Sequence, residues 1–369
     1  MAVISFARGV PAPECIPVEL LADCARAALE QDGRAVLSYG PGGGYGPLRE
    51  HLAEQHGVTP GRVIVTNGSL QGFAFLAEQL VSPGTRVLVE APTYDRPLKI
   101  LARLGAEVTA VPMDEDGLDP DALEQVLRGG SKPALLYTIP TFQNPSGRTL
   151  AAERRRRIVE LAREHDLRVL EDDPYGLVRF EGEQPPLLFD IDGGEHVIYA
   201  SSFSKTVAPG LRIGWFVLPE ALARSTEELA NGTYISPPFL TEATVLEFLR
   251  RGAFEPNLER VRDLLRVRRD AMLDALARDF PVAARWSRPE GGYFVWVDLP
   301  DEIKTDELLA RATAAEVPFV RGSDFFPKGA DGASSLRLAY SFVSPDEITE
   351  GIARLAPLLG GTAAAAATL

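Results

Sequence analysis

A lysine and an arginine, Lys205 and Arg212, stand seven residues apart in the stretch SSFSKTVAPGLRIGW (201–215). Hydroxyls, glycines and apolar residues surround them, and no acid in the stretch pairs either cation. Either both are solvated surface charges, or a ligand completes them. A lysine drawn out of water loses its proton more readily and can then attack a carbonyl carbon. An arginine offers a flat, permanently charged fork that matches a phosphate.

Other polar groups share one position along the chain. Short apolar runs at 62–66, 86–90, 106–112, 134–139, 167–171 and 196–200 alternate with amphipathic helical stretches. That alternation predicts a mostly parallel sheet covered by helices on both faces, which binds ligands beyond the carboxyl ends of its strands. RVIVT leads into NGSLQ, RVLVE into APTY, ALLYTI into PTFQNPSG, LRVLE into DDPY and HVIYA into SSFSK. Five strand ends therefore deliver Gly68, Ser69 and Gln71, then Tyr94, Asn144, Asp172 and Tyr175, then Ser202, Ser204 and Lys205 to one rim. Singly, each has an ordinary explanation: a solvated lysine, an aspartate capping a helix, a turn at NPSG. Their shared topological position argues for a site.

The chemistry of this rim is specific. The amides of a helix start at NGSLQ, with Arg212 and two serine hydroxyls, would cradle a phosphate. Tyr94 can stack on a flat ring, and Asp172 can keep a ring nitrogen protonated. Asn144 and the Tyr175 hydroxyl can hold a phenolic oxygen, and Lys205 can capture an aldehyde. Together these describe pyridoxal 5′-phosphate.

The whole chain sets limits on the alternatives. It has 369 residues, 45% of them hydrophobic, and a formal charge of −14. That length predicts two domains, and the acidic balance makes nucleic acid a poor partner. The arginine run at 154–157 lies on a helical pattern whose apolar stripe faces away, so it is read as a solvated face. Two cysteines without a CxxC pair suit reduced thiols in the cytoplasm, and four scattered histidines show no metal-binding spacing, so no metal is expected. No run is long and apolar enough to span a membrane, and GPGGGYG lacks the spacing of a dinucleotide-binding loop. The low-complexity tail GTAAAAATL is expected to fray.

SSFSKTVAPGLRIGW, TFQNPSG, EDDPY and SSLRLAYS resemble the signature segments of class I/II aminotransferases, and in particular the subgroup of 2-aminoadipate aminotransferases and the aminotransferase-like halves of MocR-type regulators. The resemblance implies an α/β chain of PLP-dependent transferase fold type I. A large domain (40–255) with a mostly parallel seven-stranded sheet would be joined by a smaller α+β domain (1–39 and 256–369), the N-terminal helix near 18–31 packing on the latter. It implies that Lys205 attaches the cofactor and moves the proton, and that Asp172 pairs with the pyridine nitrogen. Asn144 and Tyr175 would meet the phenolic oxygen, and Tyr94 the ring face. Ser69, Gln71, Ser202, Ser204 and Arg212 would bind phosphate, with Leu70 among the cofactor contacts. Arg337 would clamp the α-carboxylate of an amino acid or 2-oxo acid, and Tyr39 would reach the phosphate of a neighbouring subunit in a homodimer. Two residues depart from the family pattern on the substrate side: Arg8, in FARGVP, and Tyr293, in GGYFVW. Arg8 either meets a distal polar or anionic group of the substrate or is a solvated loop residue. Those departures leave open other reactions of the same cofactor, among them elimination, decarboxylation, oxidation and cyclisation. A ligand-sensing module without turnover is the more distant alternative.

Overall fold

The computed structural model describes residues 2–327 and 331–360; the expectation for the C-terminal tail lies outside the described residues. The predicted apolar runs form strands β1 (Val63–Thr66), β2 (Arg86–Ala91), β3 (Glu107–Asp114), β5 (Leu135–Thr138), β6 (Val169–Asp172) and β7 (Val197–Ser202). Two further strands, β4 (Gly117–Leu118) and β8 (Gly214–Val217), complete an eight-stranded sheet of order β1-β8-β7-β6-β5-β2-β3-β4. The seven-stranded expectation gains β4, a two-residue strand that folds back antiparallel on β3. The central pairs β3–β2, β2–β5, β5–β6 and β6–β7 are parallel, whereas β8 runs antiparallel between β7 and β1. Every residue of β5, β6 and β7 is buried, as continuous apolar strands covered on both faces require.

Helices follow from spacing of the same kind. In Ser69–Leu80, the buried Phe73, Leu76 and Ala77 recur at three- and four-residue intervals and so line one face. The C-terminal part forms a second, antiparallel sheet from β9 (Arg285–Trp286), β10 (Phe294–Asp298), β11 (Val320–Arg321) and β12 (Ser335–Ala339), in the order β11-β12-β10-β9. Residues near the N-terminus extend it: the amides of Ile4 and Phe6 donate to Glu316 and Pro318, and Ala339 donates to the Phe6 carbonyl. The helix that follows departs from the expectation. Val18–Val36 packs on helix Phe239–Arg250, and its Cys24 and Ala28 share a core with Val245 and Leu246. It therefore sits with the large sheet's layer; only the segment before it joins the small sheet.

The arginine run also corrects its reading. Arg156 is solvent-exposed, but Arg155 is fully buried. Its guanidinium donates to the carbonyls of Leu150, Pro140 and Pro186 and to the Thr141 hydroxyl, and lies 3.6 Å from the equally buried Glu171. Glu171 in turn accepts the amides of Leu188 and Phe189. A run of like residues on a helix hides one inward-facing member at the helical period, and only packing reveals which one. Replacing Arg155 with methionine leaves a buried carboxylate and several carbonyls without their donor, at a cost of about 3–5 kcal/mol. Urea denaturation measures it; a loss below ~1 kcal/mol would show that the network is dispensable.

Candidate active site

Two glycines let the phosphate-side elements approach each other. Gly68 precedes helix Ser69–Leu80 at φ +83°, and a Cβ there would lie 2.3 Å from the Arg212 Nη2. A Cβ on Gly214 would lie 2.2 Å from the Ser69 amide nitrogen. The helix start, β8 and the guanidinium thus meet where no larger residue fits. Among the described residues, Arg212 donates only to the carbonyls of Pro209 and Asn67, both at 3.2 Å. Ser202 Oγ accepts the Ser204 amide and lies 2.8 Å from Ser204 Oγ. The result is a concave set of amides, hydroxyls and one cation at the positive end of a helix dipole, suited to an anion.

At the other end, β6 presents Asp172. The buried Tyr137, on the adjacent β5, donates its hydroxyl to Asp172 Oδ2 at 2.7 Å. Asp172 Oδ1 is buried and has no partner among the described residues. Burial pushes this carboxyl up to about 7; the Tyr137 hydrogen bond and Lys205 oppose the shift, and Asp173 adds to it. An orphaned buried acceptor is costly and marks the place of a missing donor.

Between the two ends, Lys205 Nζ donates to the Gly9 carbonyl at 2.8 Å. The rings of Tyr293 and Tyr175 lie 5.2 and 5.6 Å from it. Burial, then Arg337 and Arg212, lower its pKa to about 8. Arg337, on β12, lies between the rings of Phe294 and Phe325, at 4.3 and 5.1 Å. Its Nη1 donates to Asn144 Oδ1 at 2.8 Å and its Nη2 to the Ala7 carbonyl at 2.9 Å, while its buried Nε has no partner among the described residues.

The loop that carries Asn144 is held from below. The buried Glu90 accepts the Thr138 hydroxyl, the Ile139 amide and the Gln143 side-chain amide. Gln143 also donates to the Pro92 carbonyl and accepts the Ser146 amide. Burial pushes Glu90 up to about 7.

Most of the expected residues converge. Ser69, Leu70, Tyr94 and Asn144 line one cavity; so do Asp172, Tyr175, Ser202, Ser204, Lys205 and Arg212. Gln71 does not line it: its Oε1 accepts the Asn67 amide at 2.9 Å and fixes the turn before the helix. Arg337 stands behind Asn144. Tyr293 donates its hydroxyl to the Lys205 carbonyl at 3.0 Å, which places it beneath the lysine. Arg8 is exposed, its guanidinium over the Phe342 ring at 5.2 Å, in a groove with Ser5 and Glu347. Tyr39 is 83% exposed and away from this cavity. Sequence reasoning passed over Tyr137 and Glu90. The available signal was a polar tip inside, or at the end of, an otherwise apolar strand.

The cavity agrees with what this chain is similar to. Residues 13–355 match the family Aminotransferase class I and II. A 2-aminoadipate transaminase of Thermus thermophilus is 40% identical, over 97% of this chain and 90% of that protein. Aromatic-amino-acid aminotransferase 1 of Thermococcus litoralis is 36% identical, over 96% and 87%. The crystal structure of an alpha-aminoadipate aminotransferase from Thermus thermophilus, complexed with N-(5′-phosphopyridoxyl)-L-leucine, superposes with a TM-score of 0.93 at 39% identity, covering 97% of this chain and 92% of that one. The chain therefore belongs to the class I and II aminotransferases, and is a transaminase with pyridoxal 5′-phosphate as its cofactor.

Proposed function

We propose that each residue of the cavity acts on the cofactor and on an L-amino acid as follows. Ser69, Ser202, Ser204 and Arg212 hold the phosphate at the start of helix Ser69–Leu80. Tyr94 covers one ring face. Asn144 and Tyr175 hold the phenolic oxygen, and Asp172 Oδ1 holds the ring nitrogen protonated. The observation that carries this reading is the pairing within one cavity of an unpartnered buried carboxylate oxygen with a lysine whose pKa burial has lowered. When bound, the cofactor supplies a sink for the electron pair released at the substrate Cα. Arg337 receives the substrate carboxylate, which displaces the Ala7 carbonyl from its fork. Lys205 Nζ, neutral, takes the proton from Cα and returns it at the cofactor's C4′. Water supplies the carbonyl oxygen of the departing 2-oxo acid while the amino group stays with the cofactor, and a second 2-oxo acid takes that group, releasing water, in the reverse sequence.

Relatives named for 2-aminoadipate and for aromatic amino acids support a substrate with a long or bulky side chain. The exposure of Tyr39 supports a homodimer in which it meets the partner's site. Two buried free cysteines suit a reducing compartment, the cytoplasm.

Incubation with L-2-aminoadipate or L-phenylalanine, with and without 2-oxoglutarate, tests the reaction by mass spectrometry. Continuous turnover is expected only with the oxo acid present; sustained product release without it would assign elimination, decarboxylation or oxidation instead. Arg337→Ala removes two charge-assisted hydrogen bonds, together about 3 kcal/mol, so kcat/KM falls roughly 100-fold. A loss of less than threefold would place the carboxylate elsewhere. The amine of Lys205 is uncharged only above its own pKa, so the rate of cofactor capture by the apoprotein should rise with pH through about 8 and then level. A rise still continuing near 10.4, where a solvated lysine titrates, would contradict the desolvated amine.

A further inference from the structure

We propose that Tyr137 is a positioning residue for the reaction, its hydroxyl holding Asp172 Oδ2 so that Oδ1 is presented, charged and in one orientation, to the ring nitrogen of the cofactor. The inference rests on the assignment of Asp172 made above and deepens it.

A carboxylate turns about its last bond unless something grips one oxygen. The parallel register of β5 and β6 sets Tyr137 opposite Leu170, two residues short of Asp172, and the phenol spans the remaining distance along the strands. The Tyr137 ring is itself fixed, with the Phe73 ring edge-on to it at 5.3 Å and 69°. The hydroxyl is the protein's one donor to Asp172 among the described residues, and the bond is 2.7 Å long. It is also a permanent donor, because burial and the nearby Asp172 hold the phenol far above its usual titration range.

The hydrogen bond also sets charge. Burial and Asp173 both favour the protonated acid, while Tyr137 and Lys205 favour the carboxylate. A protonated Asp172 would offer the ring nitrogen no negative partner. Tyr137, itself part of the cavity lining, therefore acts through Asp172 on the protonation of the ring nitrogen. A phenylalanine would fill the same volume against Phe73 and lack only the donor, which separates this role from packing.

The test compares wild type, Tyr137→Phe, Asp172→Asn and the double variant, each loaded with pyridoxal 5′-phosphate labelled with ¹⁵N in the ring. The readouts are the ring-nitrogen chemical shift across pH 6–9 and the cofactor dissociation constant, with apoprotein melting as a control on folding. In wild type the nitrogen is expected to stay protonated throughout. In Tyr137→Phe it should titrate within that range or shift toward the neutral form, with the cofactor bound about tenfold more weakly, the usual effect of one hydrogen bond to a charged group. In the Asp172→Asn background, removing the hydroxyl should change the dissociation constant by less than about twofold, since the two residues act as one unit. A wild-type shift and affinity in Tyr137→Phe, or an equal loss in both backgrounds, would overturn the proposal. If Asp172→Asn itself leaves the nitrogen protonated and the affinity unchanged, the assignment of Asp172 fails, whatever Tyr137 does.

Discussion

A partly buried amine and a buried carboxylate share one cavity and are kept from satisfying each other. Lys205 donates to the Gly9 carbonyl, and one oxygen of Asp172 has no partner among the described residues. Burying either group is unfavourable unless something compensates it. The chain sustains the arrangement because Asp172 ends β6 and Lys205 follows three residues after the end of the neighbouring β7, both strands being buried along their length. The same burial that makes these groups costly makes them reactive, since it lowers the amine toward neutrality and leaves the acid oxygen ready for a protonated ring.

The supporting shell shows the same logic one layer out. Glu90 and Gln143 tie the loop before Asn144 to β2, and Arg155 grips that loop from the other side through Pro140 and Thr141. Arg337 meets the back of Asn144 from the second sheet, and the N-terminal run brings the Ala7 and Gly9 carbonyls to the two cations. The site is thus assembled from three stretches far apart in sequence.

Much of this was legible from residue order alone. Apolar runs located six strands, and the polar residues after them located the rim, because a parallel sheet delivers strand ends to one side. The resemblance supplied roles that spacing could not, such as that of Arg337. What stayed hidden depended on packing. Strand β8 was missed because its run, GWFV, follows directly on the lysine segment without a helix to set it off. Arg155 looked like the other arginines of its run, none of which is buried, and Tyr137 looked like strand filling. The helix Val18–Val36 was assigned to the wrong neighbour because its apolar stripe says only that it packs, not on what. Gln71 was expected at the phosphate, and a local bond to Asn67 claimed its side chain.

Reduction of the cofactor-loaded protein with borohydride, followed by peptide mass mapping, bears on the central claim most directly. The pyridoxyl mass should appear on the peptide that contains Lys205, and Lys205→Arg should abolish it. A stoichiometrically loaded protein that carries the label on another lysine, or on none, would contradict the account.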